Sequence, residues 1–412
     1  MPSPEKLAAF VEAARASGLL PPADMEAFAK AAAEPGADAE TLIKDLVRRG
    51  LLTSYQARKL WKGQGADLFL SQYILLDKLG EGGMGEVFRA RHQRLDRDVA
   101  LKVMRRERLA NPEAVKRFRR EIKAAARLAH ENVVLAYDAD QAGDVHFFAM
   151  EFVEGTTLDN RVNDKGPLPV GEACEYVRQI AMGLQHAHEA GLIHRDVKPS
   201  NMLLSKDGIV KISDLGLVLV DDPETPESLG KITKEGLTVG TPDFLAPEQA
   251  RNPRKADIRA DIYALGCTFY YLLIGDFPYP GGTPTEKMFK HAREPFPEVT
   301  RADVPDEVRA VIAKMTAKRP EQRYQIPAEV ALELEPHARK PSQLTPPPLP
   351  GVAPEEPLTE DSLPTQRRER DTDSRFRLSE SATRRKVRRK GCLGVALVIG
   401  VVGLGVVIGL AS

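Results

Sequence analysis

The stretch His194-Arg195-Asp196-Val197-Lys198-Pro199-Ser200-Asn201 decides how this 412-residue chain is read. It is the most specific run in the sequence, and it does not stand alone. Thirteen residues beyond Asn201 comes Asp214-Leu215-Gly216, and farther on Ala246-Pro247-Glu248. A chance match to one such block is ordinary; an ordered series is not.

Upstream, Gly80-Glu81-Gly82-Gly83-Met84-Gly85-Glu86-Val87 fits GxGxxGxV. Glycines at that spacing let a backbone lie against phosphate oxygens, where a Cβ would hold it off. The same pattern opens dinucleotide-binding folds, which need a helix straight after it. Here Glu86-Val87-Phe88-Arg89-Ala90 reads as a strand, and no acidic residue about 20 positions on marks a second strand end.

Val99-Ala100-Leu101-Lys102-Val103 alternates as a strand, with Val99, Leu101 and Val103 on one side and Ala100 and Lys102 on the other. A lysine on a strand is ordinarily a solvated residue. One hairpin after a glycine loop, Lys102 becomes a candidate phosphate ligand. Asn111-Pro112-Glu113 then opens a helix, Asn as cap and Pro at the first position. Val115, Phe118 and Ile122 mark its buried stripe, and Glu121 adjoins that face, within reach of Lys102.

With all signature blocks in order, residues 73–337 resemble the eukaryotic-like (Hanks-type) Ser/Thr protein kinases found as membrane-anchored proteins in bacteria. The resemblance implies an α+β, bilobal protein-kinase fold, with a β-rich N-lobe, a helical C-lobe and ATP in the cleft. Carried over residue by residue, it implies that Lys102, held by Glu121, pairs the α- and β-phosphates. Asp196 is implied as the base that positions the protein hydroxyl, and Lys198 as the residue steadying the γ-phosphate. Asn201 and Asp214 are implied as holders of Mg²⁺, with Mn²⁺ admitted by the same hard oxygen donors.

The same resemblance places Leu79, Gly80, Glu81, Gly82, Gly83, Met84 and Gly85 over the nucleotide. Adenine is expected between Val87 and Ala100 above and Leu203 below. Met150 borders that pocket, and the backbone of Glu151 and Val153 hydrogen-bonds the base. Lys198 and Thr241, in Gly240-Thr241-Pro242, lean the specificity toward Ser and Thr. Asp261, in the run DIYALG with Gly266, is similar to the buried Asp that braces the catalytic loop, and Arg323 is placed to pair with Glu248. His186 and His188 read as structural. Leu215 departs from the usual Phe after the metal-binding Asp; the position packs rather than reacts.

Between Asp214 and Glu248 lie Ser228, Thr233 and Thr238. A phosphate there adds nearly two negative charges, and Arg195 is suited to bind it. Activation by autophosphorylation at Thr233 or Thr238 is expected. The plain reading of the acidic start, Asp221-Asp222-Pro223-Glu224, is solubility of the loop.

Residues 1–66 hold an internal repeat. FVEAARASGLLPPADMEAFAK from Phe10 to Lys30 aligns with LIKDLVRRGLLTSYQARKLWK from Leu42 to Lys62 at an offset of 32. Each copy reads as helix, glycine stop, apolar turn, helix, so two copies make a small four-helix module. Gly50 fits a helix C-terminus, and Thr53 with Gln56 fits a capping box. Nothing in it is catalytic; it reads as an interaction or packing unit with Trp61 as a core anchor.

Residues 338–390 read as a linker, with Pro341, Pro346, Pro347, Pro348, Pro350, Pro354, Pro357 and Pro364 giving way to a basic run. From Arg367 to Lys390 there are 11 Lys/Arg against 4 Asp/Glu. Residues 391–411 are 21 uncharged, mostly apolar positions, about the length a helix needs to cross a bilayer. Basic residues before a span stay cytoplasmic, so a single-pass cell-membrane protein with a cytoplasmic catalytic unit is expected, its anchor and basic run touching membrane lipid. With Ser412 alone after the span and no signal peptide at the start, no outer sensor is expected. Gly405 and Gly409 stand in GxxxG spacing; a homodimer through them is the weaker reading beside simple accumulation of small residues.

Composition excludes other classes. Lys+Arg and Asp+Glu are 59 each, for a net charge of zero, which speaks against a nucleic-acid binder. Three distant cysteines, Cys174, Cys267 and Cys392, make neither a disulfide framework nor a zinc cluster, and point to a reducing compartment. Two other functions stay in view: a membrane-anchored pseudokinase scaffold, and a small-molecule phosphotransferase on a related fold. The presence of Lys102, Asp196 and Asp214 argues against the first, and the Ala246-Pro247-Glu248 block against the second.

Overall fold

A computed structural model describes residues 4–82, 85–105, 112–215, 242–251 and 256–339. The expectations for Gly83, Met84, Asn111, Ser228, Thr233, Thr238, Thr241, the linker and the span at 391–411 lie outside these residues, as do the side chains of Phe118 and Glu121.

The repeat folds as four helices: α1 (Pro4–Ser17), α2 (Pro22–Ala32), α3 (Ala39–Arg48) and α4 (Ser54–Trp61). Asp38 caps α3, accepting from the Thr41 amide at 3.1 Å. The Thr53/Gln56 capping box opens α4 as read from the sequence. Gly50 closes the α3 turn at φ +68°, a conformation costly for any residue with a Cβ. Leu7, Phe10, Phe28, Ile43, Leu46 and Leu60 fill a core of their own. Trp61 packs on Phe10 with ring centroids 6.2 Å apart, an anchor at the edge of that core rather than in its middle.

A short strand, β1 (Phe69–Leu70), leads into an antiparallel sheet with β2 (Tyr73–Gly82), β3 (Gly85–His92), β4 (Arg97–Met104), β5 (Ala136–Ala142) and β6 (Val145–Glu151). The spatial order is β1-β2-β3-β4-β6-β5. Alternation sorts β4 as read: Val99, Leu101 and Val103 join Phe88, Phe147 and Ala149 on one face, while Ala100 joins Met150 and Ile122 on the other. Helix α5 (Pro112–Ala125) lies on that second face, its Ile122 buried there. Its start at Pro112 agrees with the proline placed at the first helical position.

The larger lobe begins at a second sheet, β7 (Gly155–Thr157), β8 (Met202–Ser205) and β9 (Val210–Ile212), beside α6 (Leu158–Lys165) and α7 (Val170–Glu189). Among the described residues five further helices follow: α8 (Pro247–Arg251), α9 (Ile258–Ile274), α10 (Pro284–Arg293), α11 (Asp306–Met315) and α12 (Pro327–Leu334). Helix α9 is apolar nearly all round and correspondingly buried along its length. It ends at Gly275 in the left-handed conformation, φ +82°. Gly266 within it allows close helix approach, since a Cβ there would lie 2.7 Å from Thr316 Cγ2.

A parallel bridge between Val133 and Ile212 joins the two lobes. Val134 donates to the Ile212 carbonyl at 3.0 Å, and Ile212 donates to the Asn132 carbonyl at 2.9 Å. The two-lobed arrangement expected from the motifs is the one observed.

Candidate active site

The loop from His194 to Asn201 leaves α7 and reverses direction on a residue of left-handed conformation, Arg195 at φ +66°. Such a backbone persists only where the surroundings over-determine it. Asp261 on α9, 1% exposed, supplies the restraint: its carboxylate accepts from the amides of His194 and Arg195, both at 2.8 Å. His188 on α7 holds the same carboxylate at 2.9 Å, the structural role expected of it. His186 is stacked on His130, with centroids 5.1 Å apart, and is structural too.

Beyond that turn, Asp196 is bracketed by two partners. Lys198 Nζ lies 2.7 Å from its Oδ2, and Asn201 Nδ2 donates to its carbonyl at 2.8 Å and its carboxylate at 3.1 Å. Asn201 is buried, and its carbonyl accepts from the Ser213 amide at 2.9 Å and hydroxyl at 3.0 Å. His194 Nε2 bonds the Ser213 carbonyl at 3.0 Å. Asp214 therefore follows a residue fixed from two sides, and it too is left-handed, at φ +60°.

Lys102 projects from β4 across the cleft to Asp214, Nζ to Oδ1 at 2.7 Å. Burial pushes the Asp214 carboxyl up, but the Lys102 ammonium outweighs it, and the carboxyl stays below the usual range. The pairing of Glu121 with Lys102 lies outside the described side chains. With its amide nitrogen committed to Asp196, Asn201 has Oδ1 left to offer a cation, as Asp214 has a carboxylate oxygen. Among the described residues no three His, Cys, Asp or Glu side chains converge on a metal position. Two oxygen donors without a full cage fit Mg²⁺, which keeps waters and takes phosphate oxygens as ligands.

The glycines divide by role. A Cβ on Gly85 would lie 2.0 Å from the Val103 carbonyl oxygen, so this glycine is required by the close approach of β3 and β4. A Cβ on Gly80 or Gly82 would meet nothing within 4 Å. Among the described residues nothing excludes a side chain at either position, and the space beside them is open to a ligand. Leu79 is 48% exposed at the base of this hairpin, and Glu81 is tied to Lys78 at 2.8 Å and Arg105 at 2.7 Å.

Val87, Ala100 and Met150 come together on the α5 face of the sheet, and β4 sets Ala100 opposite Met150. Leu203, on β8, comes from the other lobe. The Glu151 amide is taken by the Leu135 carbonyl at 2.9 Å, so of its backbone only the carbonyl is left to offer a ligand. Its side chain pairs with Lys211 at 3.0 Å. Val153 follows in the link to β7. Farther down, Arg323 grips Glu248 through two bonds of 2.6 and 2.8 Å, as expected, and Gln249 donates to the Arg195 carbonyl at 3.1 Å. Reading the sequence did not single out Gln249 or Ser213; both are set by contacts remote in the chain.

A family model described as the protein kinase domain matches residues 73–333. The serine/threonine-protein kinase PknB of Mycolicibacterium smegmatis is 40% identical over 269 residues, covering 64% of this chain and 42% of the relative. A probable serine/threonine-protein kinase of Clostridium perfringens, CPE1738, is 36% identical over 267 residues, covering 64% and 38%. The chain thus spans about two fifths of the length of these curated relatives. A crystal structure of a mutant Mycobacterium tuberculosis PknI kinase domain superposes with a TM-score of 0.51 at 26% identity, covering 66% of this chain and 97% of that one. The family match takes in well over half the sequence, including every residue of the cleft described above, and on that ground the chain belongs to the protein kinase domain family.

Proposed function

We propose that this chain is an ATP-dependent serine/threonine protein kinase. The observation that carries the reading is the meeting, across one cleft, of the Asp196–Lys198–Asn201 cluster and the Lys102–Asp214 pair. ATP with Mg²⁺ supplies the transferable phosphoryl group and neutralises its charge. The protein contributes position and field, which dominate in phosphoryl transfer. Gly80 and Gly82 leave room for the phosphates, and Lys102 presents an ammonium to them. Asn201 and Asp214 offer oxygens to the cation. Asp196 accepts a hydrogen bond from the incoming Ser or Thr hydroxyl and takes its proton, while Lys198 steadies the phosphate being transferred. Val87, Ala100, Met150 and Leu203 enclose adenine, with the Glu151 carbonyl and the Val153 backbone as its polar partners. The site residues offer no support for a pseudokinase scaffold.

The proposal extends to the whole sequence. Residues 1–66 form a helical module, 73–337 the kinase unit, 338–390 a linker and 391–411 a membrane anchor. The basic run before the anchor meets lipid headgroups on the cytoplasmic face. Among the described residues no helix is long and apolar enough to cross a membrane, and the anchor lies beyond them. Arg195 Nε is buried with no partner among the described residues, which suits a phosphate on Thr233 or Thr238.

The deciding experiment incubates the purified chain with Mg²⁺, labelled ATP and a generic protein substrate, beside an Asp196→Asn control. Phosphoserine or phosphothreonine formed by the parent alone is the expected result. Equal labelling by both proteins, or none by either while ATP binds, sinks the reading. Phosphate mapping on the same samples tests Thr233 and Thr238.

A further inference from the structure

The four-helix module does more than precede the catalytic unit; it is bonded to the strand that carries the glycine loop. Strand β2 is irregular just before that loop. In its pairing with β3, Leu75 meets Ala90 and Asp77 meets Arg89, so Leu76 is skipped; Lys78 meets Phe88 and Gly80 meets Val87, so Leu79 is skipped as well. A bulge bends a strand and frees backbone groups from the ladder. Freed carbonyls in a half-buried strand need donors.

The donors come from the first turn of α4. In its capping box, the Thr53 hydroxyl accepts from the Gln56 amide and the Gln56 carboxamide oxygen accepts from the Thr53 amide. That leaves the Thr53 hydroxyl proton and the Gln56 carboxamide N–H groups free to donate elsewhere. The Thr53 hydroxyl donates to the Leu76 carbonyl, and Gln56 Nε2 donates to the Leu75 carbonyl at 3.0 Å. Gln56 is 4% exposed, so its amide has been committed to this contact at the cost of its hydration. Between these bonds and the loop, the Tyr55 ring packs on Phe88 with centroids 5.9 Å apart. Burial pushes the Tyr55 phenol up to about 12, and the Glu86 and Asp67 carboxylates add to it. Glu86 also holds Lys78 at 2.5 Å across the hairpin.

Phe88 and Val87 are neighbours on β3 and point to opposite faces of the sheet. Val87 belongs to the cluster on the nucleotide side, Phe88 to the cluster on the back, where Tyr55 joins it. The helical module thus sits directly behind the phosphate-covering hairpin.

We propose that Thr53, Tyr55 and Gln56 are positioning residues for nucleotide binding. Through them α4 fixes the bend of β2 and so the height of the glycine hairpin over the cleft. The inference rests on the reading of that cleft as an ATP site. It gives the module a defined output: a partner that pulls α4 away from β2 loosens the hairpin and weakens the hold on ATP, leaving the Asp196 end untouched.

The test measures phosphorylation by the full chain with ATP varied, comparing the parent, Thr53→Val/Gln56→Leu, and Thr53→Ser as the conservative control. Loss of two buried donors is expected to raise the KM for ATP about three- to tenfold while kcat changes less than about twofold. Thr53→Ser keeps the hydroxyl and keeps the parental KM. Amide hydrogen exchange quickens across residues 78–88 in the double variant and stays slow along α9. If protection is lost along α9 too, Gln56→Leu alone, which leaves the Thr53 cap on the Gln56 amide in place and removes the bond to Leu75, carries the decision. An unchanged KM, or equal losses in KM and kcat, overturns the proposal and leaves the ATP site standing. A parent chain that binds no fluorescent ATP analogue overturns the site reading and this inference with it.

Discussion

The catalytic loop around Asp196 and the glycine hairpin from Leu79 to Gly85 face the same cleft, yet they are held by opposite means. The loop is fixed from within the large lobe by buried groups: Asp261 on two amides, Ser213 on Asn201, Gln249 on Arg195. Its left-handed residue, Arg195, is sustained by that network, which also reaches Ser213 just before the left-handed Asp214. The hairpin is held at its tip by exposed charge pairs, Lys78 and Arg105 on Glu81, which salt screens. Its firm restraint lies at the base, where α4 meets β2. The groups proposed for the chemistry are held by buried bonds, and the hairpin proposed over the nucleotide mainly by exposed ones.

Perturbing the rigid side should give the largest effects. Asp196→Asn leaves the fold intact and lowers kcat by about 10²–10⁴-fold, the range for loss of a positioned acid–base group, measured by steady-state kinetics. An unchanged melting temperature separates this from unfolding. Arg323→Ala strands the Glu248 carboxylate beneath the loop. Arg323 has no exposed side-chain surface, so a loss of about 3–5 kcal/mol in denaturant unfolding is expected.

The same side should carry the pH response. Burial pushes the His291 imidazole down to about 4, with Lys318 adding to it. The unfolded chain takes up this proton near pH 6.5 and the folded chain only near 4, so stability is full above 6.5 and falls as pH drops between them. The loss amounts to about 3 kcal/mol at most. Thermal unfolding across that window reads it, and His291→Gln should flatten the curve.

Within the hairpin the effects shrink and divide. Gly85→Ala forces a methyl into the Val103 carbonyl, an overpacking expected to cost about 1–3 kcal/mol of stability. Gly82→Ala meets only open space, so stability should stay within about 0.5 kcal/mol while the KM for ATP rises. A Gly82→Ala protein that unfolds like Gly85→Ala would erase the distinction between the two glycines.

The residues proposed for the chemistry were legible because phosphoryl transfer confines such groups to short runs. His194 to Asn201 and Asp214 are local motifs, and the alternation of β4 placed Lys102 correctly on the Ala100 face. The four helices were legible from their repeat and their caps. What the sequence withheld is tertiary. It showed that Thr53 and Gln56 cap α4, but not that their remaining donors reach the strand 19 to 23 residues later. In Ile74-Leu75-Leu76 nothing marks which residue the ladder will skip. Gly80, Gly82 and Gly85 read alike, although Gly85 answers to Val103 and the other two to open space.

The Val133–Ile212 bridge has a mechanical consequence. It ties the lobes together close to the site, with Asp214 only two residues along from it. When one lobe rotates against the other, each atom travels in proportion to its distance from the axis. For a rotation about this bridge, the carboxylate assigned to the cation would move on a short radius and the tip of the hairpin on a long one. A few degrees of rotation can open the mouth of the cleft for nucleotide exchange while the metal end keeps its alignment.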